Sequence, residues 1–311
     1  MKLSVIIPAY NEQENVKFVH KEVLGALEKM APDYYEIIFV NDGSTDGTLS
    51  ELKKIKPVKI INFRKNFGQT AAMDAGIKAS IGDLIITMDG DGQNDPADMP
   101  KMIEKMKNDD LDIISGWRKI RRDPFFKKIS SSLAARLRKF LIDDGIKDSG
   151  CTLKVYKKEC FDHIDLVGEM HRFIPALLKI KGFKVGEIEV NHRPRMSNKT
   201  KYGWGRGMRG VLDMLSVWFW KKYANRPLHL FGTIGIMLIL ISGISIIYAL
   251  YEKIAYGFDL SNTALTNLSM FGFLIGIQFF AFGLISDILL KNYFASTRDK
   301  VYEIKEVIEN K

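Results

Sequence analysis

Leu84-Ile85-Ile86-Thr87-Met88-Asp89-Gly90-Asp91-Gly92-Gln93-Asn94-Asp95-Pro96 starts as an apolar, β-branched run and stops abruptly at two carboxylates. Residues 84–88 read as a strand buried inside a sheet. The Asp-Gly-Asp-Gly that follows ends the strand and puts Asp89 and Asp91, one residue apart, at its carboxyl end. Two carboxylates so placed can share a divalent cation. Hard cations such as Mg2+ or Mn2+ prefer oxygen ligands and keep positions open for substrate phosphates. A cation bridging a diphosphate neutralises the charge that develops on a leaving nucleotide.

Upstream, the same punctuation recurs. Residues 2–7, 36–40 and 58–63 read as further buried strands, and 14–30, 48–54 and 70–79 carry helical spacing. The order β-α-β-α-β-α-β predicts an α/β fold with a largely parallel sheet. Ligands in such sheets bind beyond the carboxyl ends of the strands. The polar clusters fall there: 10–12, 41–46 and 89–95. The cluster 41–46, Asn-Asp-Gly-Ser-Thr-Asp, also suits a turn and a helix cap, and the two roles are compatible.

Composition narrows the class. Of 311 residues, 46% are hydrophobic and 27% charged, which excludes a disordered chain. The formal charge of +9 calls for an anionic partner. Nucleic acid is set aside, because much of the basic excess lies between Lys119 and Lys222, next to the apolar segments described below; lipid phosphates and anionic headgroups account for it better. Cys151 and Cys160 form no CxxC pair and no zinc-ligand spacing, so a reducing, cytosolic setting is expected for the polar part. The opening residues, with one Lys and an early Pro8, read as a first strand rather than a secretory signal.

The last third changes character. Residues 227–250 and 264–285 carry no Lys, Arg, Asp or Glu, and each is about the length a helix needs to cross a bilayer. Two spans are predicted, with 252–263 as the connecting loop; two buried core helices are the alternative. Lys221, Lys222 and Arg226 precede the first span and Lys291, Arg298 and Lys300 follow the second, while the loop holds only Lys253. That bias puts the catalytic part and both termini on the cytoplasmic side of the cell membrane. Residues 208–223 mix aromatic and basic side chains and fit either an interfacial amphipathic helix or an ordinary core helix. Gly232, Gly235, Gly243, Gly272 and Gly276 permit close helix packing and, with it, a homo-oligomer.

Four motifs then agree with one another. They are Ser4-Val5-Ile6-Ile7-Pro8-Ala9-Tyr10-Asn11-Glu12, Ile38-Phe39-Val40-Asn41-Asp42-Gly43-Ser44, Arg64-Lys65-Asn66-Phe67-Gly68-Gln69 with Ala71 to Gly76, and Asp89-Gly90-Asp91. In this order they resemble the family 2 glycosyltransferases with the A-type, Rossmann-like fold. Ser115-Gly116-Trp117-Arg118, Asp148-Ser149-Gly150-Cys151-Thr152-Leu153-Lys154, Glu169 to Phe173 and Arg195 with Lys199 to Gly203 resemble the dolichyl- and polyprenyl-phosphate sugar transferase branch. The resemblance implies a transferase domain at 1–207, a juxtamembrane segment at 208–226, a two-helix anchor at 227–291 and a tail at 292–311.

The reaction it implies is inverting transfer of a hexose from a GDP- or UDP-linked nucleotide-sugar to a polyprenyl or dolichyl phosphate, with Mg2+ or Mn2+. The resemblance assigns Pro8, Tyr10, Glu12 and Asp42 to the base and ribose, with Val40, Gly68 and Gly90 along the same donor site. Asp89 would contact ribose or metal, and Asp91 and Gln93 would be metal ligands. Many relatives have Asp where this chain has Asn41, which stays outside the expected site. For the acceptor phosphate the candidates are Arg118, Arg136, Arg138, His171, Arg195 and Lys201, since guanidinium groups bind phosphate oxygens in pairs. Asp91, Arg118 and Asp148 are the expected catalytic groups, although Asp148 also fits a purely structural turn. Residues 193–207 fit an active-site loop or a solvated linker. Three other readings compete. A processive polysaccharide synthase lacks its Gln-x-x-Arg-Trp pattern here. Transfer to another glycolipid stays open, and a silent nucleotide-binding scaffold is the remaining alternative, against which the intact Asp89, Asp91 and Gln93 argue.

Overall fold

The computed structural model describes residues 1–119, 145–194 apart from 163, 165, 167 and 169, then 215, 217–219, 222, 223, 226–257 and 264–296. It divides into two compact units, the first from Met1 to Trp218 and the second beginning at Phe219.

In the first unit the elements run β1 (Lys2–Ala9), α1 (Val16–Met30), β2 (Tyr34–Asn41), α2 (Thr48–Leu52), β3 (Lys59–Asn62), α3 (Gln69–Ala79) and β4 (Leu84–Thr87). They continue with α4 (Met99–Asn108), β5 (Ile113–Trp117), β6 (Lys154–Lys157), α5 (Ile174–Ile180) and β7 (Val185–Glu189). The strands form one sheet in the order β3-β2-β1-β4-β6-β5-β7. Its centre is parallel: Val5 of β1 faces Ile37 of β2 on one side and Ile86 of β4 on the other. Residues Leu3 to Ile7 are all buried, as expected of a strand covered on both faces. Helix α1 buries Val16, Val19, His20, Val23 and Leu27, the 3-4 spacing of one apolar stripe.

The α/β reading holds, with one feature the sequence did not give. Strand β6 runs antiparallel to both β4 and β5. Its four residues, Lys-Val-Tyr-Lys, are too short and too polar at the ends to read as a core strand, yet Lys154, Val155 and Tyr156 are buried. Strand β1 extends to Ala9 and α1 begins at Val16, because the Glu12 carbonyl accepts from the amides of Asn15 and Val16 and closes a turn first.

The second unit contains α6 (Pro227–Tyr256) and α7 (Ala264–Ser296). Helix α6 runs past 252, where a loop was expected, and ends at Gly257 in a left-handed conformation with its amide bonded to the Lys253 carbonyl. Windows of the two helices reach mean hydropathies of 2.5 and 2.1 with only 17% and 11% of their residues buried. Apolar helices that expose most of their side chains need a lipid solvent. Gly235 and Gly276 let the two backbones touch: a Cβ on Gly235 would sit 2.6 Å from the Gly276 carbonyl oxygen, and one on Gly276 would sit 2.8 Å from that of Gly235.

Candidate active site

The carboxylate loop starts where β4 ends. Gly90 lies so close to β1 that a Cβ would stand 3.0 Å from the Pro8 carbonyl oxygen, and Gly92 turns back with φ +76°. Asp89 is half-buried, and its Oδ1 accepts from the Gln69 side-chain amide at 2.7 Å. Burial, then the negative charge of Asp91, push the Asp89 carboxyl up to about 6; the Thr152 hydroxyl and the charges of Arg118 and Lys154 oppose that rise. Asp91 is buried and accepts the Gln93 amide at 3.1 Å. Two crowded carboxylates, one of them reluctant to ionise, suit a divalent cation that would relieve their repulsion. Among the described residues no group of three or more His, Cys, Asp or Glu side chains could hold an ion unaided. A cation here therefore needs ligand oxygens to complete its shell.

A strap of chain after β7 holds this loop. The Arg193 amide donates to the Gln93 carbonyl at 2.9 Å, and the Gln93 side-chain nitrogen reaches the Arg193 carbonyl and His192 Nε2, both at 3.4 Å. Asn94 and His192 form a β-bridge, and Asn191 makes two hydrogen bonds to Asp98, at 2.6 and 3.2 Å. The Arg193 guanidinium bridges Asp95, at 2.9 Å, to Glu22 of α1. Gln93 thus sits beside the carboxylates, with its amide nitrogen turned to the strap.

On the donor side the expected residues converge at the carboxyl ends of β1 and β2. Tyr10 lines a cleft of about 510 Å3 together with Asn41, Ser44, Thr45, Arg64 and Lys65. Pro8 pairs with Val40 across the β1–β2 ladder, and the Val40 side chain is fully buried beside Ala72, leaving no exposed surface. Asp42 is buried, and its two oxygens accept the amides of Phe67 at 2.7 Å and Gly68 at 3.0 Å. Burial raises its carboxyl above the ordinary range while those two amides counter the rise. Its visible work is to clamp the loop entering α3, where Gly68 adopts φ +96°. Glu12 accepts from the Asn15 side chain at 2.6 Å and its amide bonds Thr48 Oγ1 at 2.9 Å. The turn-and-cap reading also holds: Asp46 Oδ1 accepts from both the amide and the hydroxyl of Thr48. Asn41, left outside the expected site, bonds Asn62 and Ser44 and also lines the cleft.

On the acceptor side Arg118 leaves β5 and meets Asp148 in a fork, Nε to Oδ2 at 2.7 Å and Nη2 to Oδ1 at 3.0 Å. Asp148 is buried, and Arg118 keeps about a fifth of its side chain exposed. Burial works against the Arg118 charge, but the bonds and charge of Asp148 more than restore it and raise it above its ordinary value. The two groups expected as acceptor ligand and catalytic carboxylate are therefore partners of each other. His171 is buried, with Nδ1 2.7 Å from Thr70 Oγ1 at the start of α3 and Arg172 Nε 3.4 Å from Nε2. Arg136, Arg138, Arg195 and Lys201 lie outside the described residues, as does most of 208–226.

Three contributors escaped the sequence reading: Gln69 on Asp89, Thr152 with its hydroxyl on Asn94 at 2.9 Å, and Lys154, 2% exposed beneath the carboxylates. Thr152 and Lys154 lie inside the quoted 148–154 motif, so their signal was on the page without a role attached.

The model of glycosyl transferase family 2 matches residues 4–165. The chain belongs to that family. Residues 226–290 match a second model, the GtrB C-terminal hairpin, so this glycosyltransferase carries a recognised hairpin after its family 2 region. It is 35% identical to a dodecaprenyl-phosphate galacturonate synthase of Rhizobium johnstonii, over 100% of this chain and 94% of that one. It is 29% identical to an undecaprenyl-phosphate 4-deoxy-4-formamido-L-arabinose transferase of an Enterobacter species, over 99% and 94%. Among solved structures, glucosyl-3-phosphoglycerate synthase of Mycobacterium tuberculosis with Mn2+ and UDP-glucose matches at TM-score 0.55 and 15% identity, covering 70% of this chain and 79% of that one. Mannosyl-3-phosphoglycerate synthase of Rubrobacter xylanophilus matches at TM-score 0.56 and 16% identity, covering 70% and 74%. At those identities the structures speak for the fold of the glycosyltransferase alone.

Proposed function

We propose that this family 2 glycosyltransferase moves a sugar, a hexose in our reading, from a GDP- or UDP-linked donor to a polyprenyl phosphate, inverting the anomeric centre. The observation that carries the reading is the pair Asp89 and Asp91 at the carboxyl end of β4, facing the Arg118–Asp148 fork, on a chain that ends in an apolar hairpin. The two relatives, both acting with polyprenyl phosphates by their names, support the acceptor class.

Asp89, Asp91 and Gln93 would hold Mg2+ or Mn2+, which when bound offsets the charge on the departing nucleoside diphosphate. The chain's own residues orient and exclude. Tyr10 and the cleft beside Arg64 and Lys65 offer the base a face and polar edges. A phosphate oxygen of the acceptor attacks the anomeric carbon, the bond from that carbon to the diphosphate oxygen breaks, and the nucleoside diphosphate leaves with the electron pair. The acceptor is already an anion near neutral pH, so it needs placement rather than a base. An Asp148 engaged by Arg118 fits that demand. Arg118, with Arg136, Arg138, Arg195 and Lys201, supplies the cations for the acceptor phosphate in this reading.

The same reading divides the chain at 207, 226 and 291 and puts both termini and the catalytic unit on the cytoplasmic face, from the Lys and Arg bias. The test is transfer of radiolabel from a panel of nucleotide-sugars into the organic phase, using purified protein, polyprenyl phosphate and Mn2+ or Mg2+. Metal-dependent labelling from one donor, lost in Asp91→Ala, is the expected result. Hydrolysis without lipid label moves the acceptor to another glycolipid, and nucleotide binding without turnover favours a silent scaffold.

A further inference from the structure

Lys154 opens β6, opposite Thr87 of β4 and Ser115 of β5 in the ladder, and is 2% exposed. Its Nζ donates to the Cys151 carbonyl at 2.5 Å and the Ser149 carbonyl at 3.4 Å. Among the described residues no carboxylate is in ion-pair contact with it, because the nearby Asp148 is taken by Arg118. A buried ammonium with only neutral carbonyls as partners has lost its hydration without gaining a counter-ion in contact. A methionine would fill the same space without that cost.

Burial works against the Lys154 charge and lowers its pKa, while the nearby Asp148 and Asp89 oppose that fall, so Lys154 is felt where the chemistry is expected. Three carboxylates, Asp89, Asp91 and Asp148, stand against two cations, Arg118 and Lys154, leaving one negative charge in excess. A divalent cation alone overshoots that excess. A divalent cation with the sugar-linked diphosphate of a donor, which carries two negative charges, restores it. Without Lys154 the excess is two, so the cation alone is matched and the diphosphate is not.

We propose that Lys154 is a positioning residue for the donor: a buried positive charge beside Asp89 that weakens binding of the divalent cation alone and strengthens binding of the cation together with a nucleoside diphosphate. The inference rests on the nucleotide-sugar reading above. It makes metal and donor enter as a coupled pair rather than leaving a metal resident in the empty site.

The experiment uses full-length protein in detergent and measures free Mn2+ by electron paramagnetic resonance, without and with UDP or GDP. Lys154→Met removes the charge and the hydrogen bonds. Lys154→Gln removes the charge and keeps a donor, and Lys154→Arg keeps both. The two neutral variants are expected to bind Mn2+ alone about threefold or more tighter, and nucleotide at saturating Mn2+ about threefold or more weaker, as removal of one nearby positive charge requires. The Arg variant stays within about twofold of wild type on both. Damage to the 148–154 turn would weaken both affinities together, so shifts in the same direction, or none, overturn the proposal. Should Lys154→Met fail to fold, the Gln and Arg variants decide. If neither neutral variant folds while Arg does, the charge is structural and the proposal falls. A wild type that binds neither nucleotide would instead overturn the function proposed above.

Discussion

The catalytic unit and the C-terminal hairpin use the same aliphatic residues and bury them in opposite senses. In the sheet, Leu3, Val5, Ile6 and Ile7 are inaccessible, whereas in α6 Ile244 and Ile247 expose 67% and 68% of their surface. The first unit hides apolar atoms from water and then has to find partners for most of the polar groups it buries, as Asp42 on two amides and Asp148 on Arg118 illustrate. The hairpin faces lipid on the outside and is held at its seam by close backbone contact at Gly235 and Gly276. One region is specified by polar satisfaction, the other by the absence of side chains.

That contrast predicts which substitutions stay local. Asp91→Ala should reduce transfer about a thousandfold or more, because a cation at the scissile bond contributes several kcal/mol, while retention in the membrane fraction is unchanged. Loss of retention as well would show that the two regions are not separable. Arg118→Ala strips the buried Asp148 of its guanidinium partner and should cost about 3 kcal/mol of stability, read as a lowered unfolding temperature of the first unit. Arg118→Lys should recover only part, since a single ammonium cannot make the fork.

At the seam, Gly235→Leu must push α6 away from the Gly276 carbonyl. It should cost about 1–3 kcal/mol of packing and show as faster proteolysis of the hairpin, with Mn2+ and nucleotide binding by the other unit kept. The smallest effect is a titration. The Asp89 carboxyl is raised, so its proton is held below about pH 6. A protonated carboxylic acid is a poor ligand, so Mn2+ affinity should be level above that pH and fall up to about tenfold per unit below it. A flat profile between pH 5 and 7 would show that the two carboxylates do not compete for charge as the structure implies.

Strands β1 to β4 and helices α1 to α3 were legible because each lies in a stretch of apolar or helix-forming residues set off by polar punctuation, even where the element itself is short. The carboxylate pair was legible because it interrupts such a run. Strand β6 was not, because four residues with lysine at both ends carry no period and are made a strand only by the edges of β4 and β5. The pairing of Arg118 with Asp148, thirty residues apart in sequence, was equally hidden. Each was singled out, for roles on the substrate, and neither pointed to the other. Asp42 was chosen for a ligand contact, and the structure adds a second duty that explains why a carboxylate is needed even before any donor binds.

By itself the sequence determined the α/β class, the carboxylate pair at a strand end, the two apolar helices and the family, since all of these are local patterns in chain order. Only the tertiary structure decided that β6 runs antiparallel and brings Lys154 near Asp89, that Arg193 straps the carboxylate loop to α1, and that Arg118 and Asp148 neutralise each other. Those are contacts between segments far apart in the chain. Local periodicity holds no information about which buried charge meets which; burial, by removing water, makes each such meeting obligatory.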